Sequence, residues 1–136
     1  MTTRWFVDTN VAVYLFDDDE PVKQRVARDL VDSDDAGRLV ISTQVLGEFY
    51  VTTTRKLHLD LGTVHAAMAA LSQFPVVATD LALVRAGVDT AERHQISYWD
   101  ALIIEAAVVS GCDRVLTEDL APGSTLRRIE IVNPFA

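Results

Sequence analysis

Residues 6–11 read FVDTNV, set inside the longer run RWFVDTNVAVYLF of residues 4–16. An apolar, β-branched run is interrupted by one carboxylate, Asp8, and by Asn10, after which the apolar character resumes. An acid at such a seam has two physical readings. It caps a helix that starts where a strand ends, or it is a metal or catalytic ligand at the carboxyl end of a central strand. The rest of the chain has to choose between them.

Outward from that seam, residues 4–7 form a short buried strand, Asp8-Thr9-Asn10 a turn, and VAVYLF (11–16) a first short helix. The acidic DDDE of residues 17–20 precedes Pro21, a favourable first helical residue, and the helix runs to about Asp32 with Val22, Val26, Leu30 and Val31 at helical spacing. Residues 38–41 make a second strand, and Ser42 or Thr43 caps the helix VLGEFYVTTTRKL. Residues 62–72 are helical, 75–77 form a short strand, and Thr79-Asp80 opens a helix to about His94. A further helix begins at Ser97 and is apolar nearly all round, as a buried helix is. Residues 114–117 are a strand, EDLAPGST a loop, and 129–132 a last strand. Short apolar strands alternating with helices predict an α/β/α sandwich around a central, mainly parallel sheet.

The chain's 136 residues suit a single domain, 1–136, with a real core. Hydrophobic residues make up 49%, which fits a packed fold rather than disorder. No apolar run is long enough to span a bilayer, and no signal peptide is apparent. Cys112 stands alone and has no internal disulfide partner, so a reducing, cytoplasmic setting is the default expectation. The net charge of −8 argues mildly against nucleic-acid binding, which usually shows a basic footprint. Acids clustered around divalent cations would offset that, because bound metal attracts phosphate. Where the acids sit therefore matters more than their number.

In parallel sheets ligands lie beyond the carboxyl ends of the strands. Asp8 follows the first strand directly and Asp119 lies two residues past RVLT. Glu48 and Asp100 fall in the early turns of two helices. Each has a plainer explanation. Asp8 fits a cap, Ser97-Tyr98-Trp99-Asp100 resembles a capping box, Glu48 fits a helix surface, and Asp119 fits a turn. Together they say more. Four carboxylates at one sheet edge repel one another unless a cation joins them, and oxygen ligands suit Mg²⁺ or Mn²⁺. Zinc is disfavoured, since His58, His65 and His94 show no ligand spacing. No Walker loop, dinucleotide fingerprint or nucleophile elbow is present. Acid-held metal at a sheet edge points to phosphodiester hydrolysis, with water activated by the cation as nucleophile.

These segments resemble the PIN domain, in particular the VapC-type toxins of bacterial toxin–antitoxin pairs. FVDTNV is similar to the family's strand-D-T/S-N start, STQVLGEFYVT to the segment with its second acid, SYWDALIIEAA to the third, and VLTEDL to its T-x-D motif. The resemblance covers essentially the whole chain. It implies catalytic, metal-binding acids at Asp8, Glu48, Asp100 and Asp119, with Asn10 and Thr117 in supporting positions and Glu118 peripheral. It also implies a Mg²⁺- or Mn²⁺-dependent endoribonuclease acting on tRNA or other structured RNA, usually a homodimer, neutralised by a cognate antitoxin in the active-site groove. Val13, Leu15, Phe16, Phe49 and Tyr50 flank the expected site, mostly as core, with a subset available to line a groove. Arg4, Lys23, Arg25, Arg28, Arg55, Lys56, Arg85 and Arg93 are scattered without an obvious RNA-binding stripe.

Two competing classes remain. A haloacid dehalogenase-like phosphatase needs a second Asp two residues after its nucleophile, where this chain has Asn10. A receiver-like Mg²⁺-binding domain expects a Lys after its last strand, and no Lys follows Lys56.

Overall fold

The computed structural model describes residues 3–136. Its sheet is organised about β1 (Arg4–Val7), which pairs in parallel with β2 (Leu39–Ser42) on one side and β4 (Cys112–Leu116) on the other. β3 (Val76–Val77) extends the β2 side, and β6 (Ile129–Val132) extends the β4 side, again in parallel. β5 (Thr125–Leu126) closes the edge antiparallel to β6, giving the order β3-β2-β1-β4-β6-β5. Phe6 stands in register with Val40 and Val115, and all three are fully buried. A row of large apolar side chains across three central strands is what fixes the register, since a one-residue slip would turn each to the other face.

The helices start where the sequence supplies side-chain acceptors for their free amides. Asp8 caps α1 (Thr9–Tyr14), Ser42 caps α3 (Thr43–Arg55), Asp60 caps α4 (Leu61–Leu71), Asp80 caps α5 (Leu81–His94) and Ser97 caps α6 (Tyr98–Val109). Pro21 opens α2 (Pro21–Asp32), as expected from its fixed φ and missing N–H. The unbroken buried run Ala101–Ala107 confirms the expectation that α6 is internal. Gly87 of α5 allows its close approach: a Cβ there would lie 3.2 Å from Leu102 Cδ1 and 3.4 Å from the Tyr98 ring.

The mainly parallel α/β architecture therefore stands as expected from sequence. Two details differ. α1 begins at Thr9 rather than Val11, because Asp8 itself provides the cap and no separate turn intervenes. A further short strand, β5, begins at Thr125, the last residue of the segment expected to be a loop. Its link to β6 is a two-residue turn, Arg127-Arg128, with φ of 52° and 65°. Both turn residues are left-handed, a hairpin geometry normally marked by Asn or Gly, so a pair of arginines gave no signal.

Candidate active site

β1 and β4 end side by side, and each delivers a carboxylate at the sheet's carboxyl edge. The Asp8 amide still donates to Leu116 O at 3.0 Å and the Thr117 amide to Val132 O at 3.0 Å, so both strand ends are pinned by sheet hydrogen bonds. Asp8 is buried, with Oδ1 accepting from the Thr9 amide at 2.7 Å and Oδ2 accepting from Thr117 Oγ1 at 2.8 Å. The cap reading of the opening acid holds, and capping α1 does not remove Asp8 from the groove above the sheet, which it lines.

Thr117 is the hub. Fully buried, its hydroxyl gives its proton to Asp8 and accepts from Asn10 Nδ2 at 3.0 Å and from the Asp119 amide at 3.1 Å. Donor and both lone pairs are then used. Asn10 Nδ2 also donates to Asp119 Oδ2 at 3.0 Å, and Asn10 Oδ1 accepts from the Glu118 amide at 3.3 Å. Both residues expected to support the acids are therefore built into their hydrogen-bond network.

Glu48 enters from α3, where Thr9 Oγ1 donates to its Oε1 at 2.7 Å. Asp100 enters from the first turn of α6. Its backbone amide, rather than its carboxylate, makes the cap bond, to Ser97 Oγ at 3.0 Å. The Asp100 carboxylate has no hydrogen-bond partner among the described residues, so the cap explanation does not occupy it. All four acids, with Asp17, line one open groove of about 830 Å³, together with Thr9, Asn10, Gln44, Thr52, Lys56 and Trp99.

None of the four is in an ion pair with Lys or Arg among the described residues. Burial pushes the Asp8 carboxyl up to about 6; the hydrogen bonds from Thr117 and Thr9 pull against this, and the charges of Glu48 and Asp119 add to it. Among the described residues no three acids, histidines or cysteines converge on a single point. Glu48 is instead turned to Thr9 and Asp119 to Asn10. An all-carboxylate set without cationic partners among the described residues, one member destabilised as an anion, has the chemistry of a site for a hard divalent cation.

Three expectations are refined. Of the apolar residues near the site, Val13 lines the groove, whereas Phe16 and Phe49 meet edge to face at 5.6 Å in the core. Leu15 also packs against the core, and Tyr50 is exposed. Of the eight scattered basic residues only Lys56 lines the groove. Glu118 is not idle either. Tyr14 Oη donates to it at 2.5 Å and Lys23 Nζ at 3.0 Å, with Lys23 also over the Tyr14 ring at 4.9 Å. Burial alone would lift the Glu118 carboxyl, but these two hydrogen bonds outweigh it and hold it below the ordinary range. This brace ties α1 and α2 to the loop that carries Asp119. Its partners lie up to 104 residues apart, so no local pattern announced it.

An α/β fold with a carboxylate-lined groove at the sheet's carboxyl edge defines the class. The PIN domain family model matches residues 5–125, and the chain belongs to that family. Comparison with curated proteins gives no match. Among solved structures, a toxin–antitoxin complex from Klebsiella pneumoniae shares 19% identity at TM-score 0.72, over 97% of this chain and 98% of that one. The DNA-bound VapBC of Salmonella typhimurium shares 18% at TM-score 0.69, over 96% and 97%. VapC20 of Mycobacterium tuberculosis, a toxin that cleaves the sarcin-ricin loop, shares 23% at TM-score 0.65, over 85% and 91%. These likenesses bear on the fold.

Proposed function

We propose that this chain is a divalent-metal-dependent endoribonuclease of the toxin type, restrained by a cognate antitoxin protein. The observation that carries the reading is the set of four carboxylates, from four separate segments, lining one groove with no cationic side chain among the described residues paired to any of them. Asp8, Glu48, Asp100 and Asp119 are the residues that would hold Mg²⁺ or Mn²⁺. When bound, such a cation neutralises charge on the scissile phosphate and acidifies water. Thr117, Asn10 and Thr9 hold the carboxylates in place, and the Tyr14–Lys23–Glu118 brace holds the loop of Asp119.

Water is the nucleophile in this reading, and no carboxylate becomes esterified. Both Asp8 oxygens are engaged by hydrogen bonds, and the position that would serve a phosphatase as second acid is the amide of Asn10, committed to Thr117 and Asp119. The toxin assignment draws on what the neighbours are: a sarcin-ricin-loop-cleaving toxin and complexes with antitoxins. Exposed Tyr50, Val51 and Leu61 offer apolar surface for a homodimer. A cytoplasmic setting accords with the single free thiol of Cys112, and no helix among the described residues is long and apolar enough to cross a membrane.

The test is cleavage of total tRNA and ribosomal RNA by purified protein with Mg²⁺ or Mn²⁺, and with chelator. Asp8→Asn and Asp100→Asn should each abolish metal-dependent cleavage. Cleavage at the wild-type rate in either variant would show that the site is misassigned.

A further inference from the structure

The groove is not uniform along its length. On α3 and its C-cap the residues Gln44, Glu48, Thr52 and Lys56 follow one another at four-residue steps, and all four line it. Spacing of four keeps them on one helix face, so they form a polar rail along the groove. Lys56 lies eight residues from Glu48, roughly 12 Å along the axis at 1.5 Å per residue. That is longer than one sugar–phosphate unit, so Lys56 meets a phosphate other than the scissile one.

Lys56 is the one cation among the described lining residues, against five carboxylates, and it makes no ion pair among the described residues. Asp17, which begins the acidic run through Glu20, lines the groove as well, and a polyanion is repelled there.

At the other end of the rail stands Trp99, which is 61% exposed although it is among the largest apolar side chains in the protein. It directly precedes Asp100 and lines the same groove. Gln44 Nε2 donates to the Trp99 carbonyl at 3.2 Å, and the Tyr98 ring meets the indole edge to face at 5.0 Å. The backbone of Trp99 is thus tied to α3, and its indole packs on Tyr98 while much of its surface stays open. An exposed aromatic beside a phosphate-cleaving centre is a stacking platform for an unpaired base.

Resting on the nuclease reading above, we propose that Trp99 and Lys56 position the RNA along α3, Trp99 by stacking one base of an unpaired strand beside the scissile phosphate and Lys56 by holding a flanking phosphate. A base inside a duplex cannot reach the indole, so the arrangement selects loops over stems. An exposed aromatic also suits a protein partner, but the rail facing Trp99 is polar, and its cation is matched to phosphate.

The experiment compares an RNA hairpin having an unpaired loop with a blunt duplex of its stem, in Mn²⁺. The wild type should cleave in the loop and spare the duplex. Trp99→Ala should raise KM for the hairpin about ten- to a hundredfold, with kcat falling far less, and Trp99→Phe should restore most of the loss. Lys56→Gln should raise KM and flatten the slope of log(kcat/KM) against log[KCl] by about 0.7. Unchanged KM in Trp99→Ala overturns the proposal. So does a KM change accompanied by dissociation of a dimer in light scattering, which assigns Trp99 to a contact between copies. Should the wild type hydrolyse neither RNA nor bis(p-nitrophenyl) phosphate, the nuclease reading falls separately. Anisotropy titrations of labelled hairpin then decide the strand proposal, and equal affinities of wild type and Trp99→Ala sink it.

Discussion

Asp8 is buried by the fold, whereas the cation role proposed for it requires the charged form. With its carboxyl at about 6 instead of the ordinary 3.8, the folded protein holds that proton more tightly than the unfolded chain does. The sign follows from linkage. Asp8's contribution to stability is fully present below pH 3.8 and is lost as pH rises through about 6. At neutral pH the ionised group opposes folding of the metal-free protein by on the order of 3 kcal/mol, at 1.36 kcal/mol per unit. A cation reverses this by favouring the anion and competing with the proton. The increase in Tm caused by Mn²⁺ should therefore be small at pH 5 and large at pH 7.5. Equal increases at both would remove Asp8 from the ligand set.

Thr117 sits one atom further out and is equally exacting. Its hydroxyl donates once and accepts twice, a pattern that Val, though of the same shape, cannot copy. Thr117→Val leaves Asp8 Oδ2 without its donor and the Asp119 amide without its acceptor, which should cost about 1–3 kcal/mol and reduce RNA cleavage at least tenfold. Thr117→Ser keeps the hydroxyl and should retain most activity. Chemical denaturation and initial rates on one RNA separate the two effects, and a fully active Thr117→Val would show that the hub is dispensable.

Among the elements, the β5–β6 hairpin joins two opposed energies. Both turn residues are left-handed non-glycines, a conformation that costs an L-residue roughly 1–2 kcal/mol. Arg127 has compensation: its Nε and Nη2 donate to the two oxygens of buried Glu105 at 3.0 and 3.1 Å, and Thr90 Oγ1 completes the set at 2.8 Å. Arg128 forms no comparable bond among the described residues. Two substitutions that relieve the same backbone should therefore differ in sign. Arg128→Gly should raise stability by up to about 1 kcal/mol. Arg127→Gly should lower it by a few kcal/mol, because it strands a buried carboxylate. Urea unfolding of both variants checks the contrast, and matching shifts would refute the role given to Glu105.

The same hairpin shows where sequence reading stops. Strands and helices with period, cap and proline signals were legible: Phe6 to Val7 before Asp8, Pro21, Ser42, Asp80 and Ser97 all mark boundaries the structure keeps. So was the meeting of the four acids along one groove, because each lies at a strand end or in an early helical turn. Contacts between distant residues were not. Nothing near Glu118 reveals Tyr14 or Lys23, nothing near Glu48 reveals Thr9, and an Arg-Arg turn carries no turn residue at all.

Across the whole molecule, the division of labour between the two basic residue types bears on how a chain of net charge −8 would engage the proposed RNA substrate. Several arginines are committed within the fold: Arg127 to Glu105, Arg93 to Asp89, Arg114 to Glu130, and Arg28 to the Leu15 carbonyl. Arg38 and Arg114 lie over the Trp5 ring at 4.8 and 5.0 Å, beside the opposite, amino edge of the sheet. The only two lysines are both at the site, Lys23 bracing Glu118 and Lys56 lining the groove. Electrostatic attraction for RNA should thus be slight and local. At constant Mn²⁺, log(kcat/KM) should fall with log[KCl] at a slope near −0.7, the value of about one phosphate contact on a single strand. A slope of about −3 or steeper would require several further cations. The arginines around Trp5 would then be the surface to mutate, and the strand would have to wrap past the sheet edge rather than end along α3.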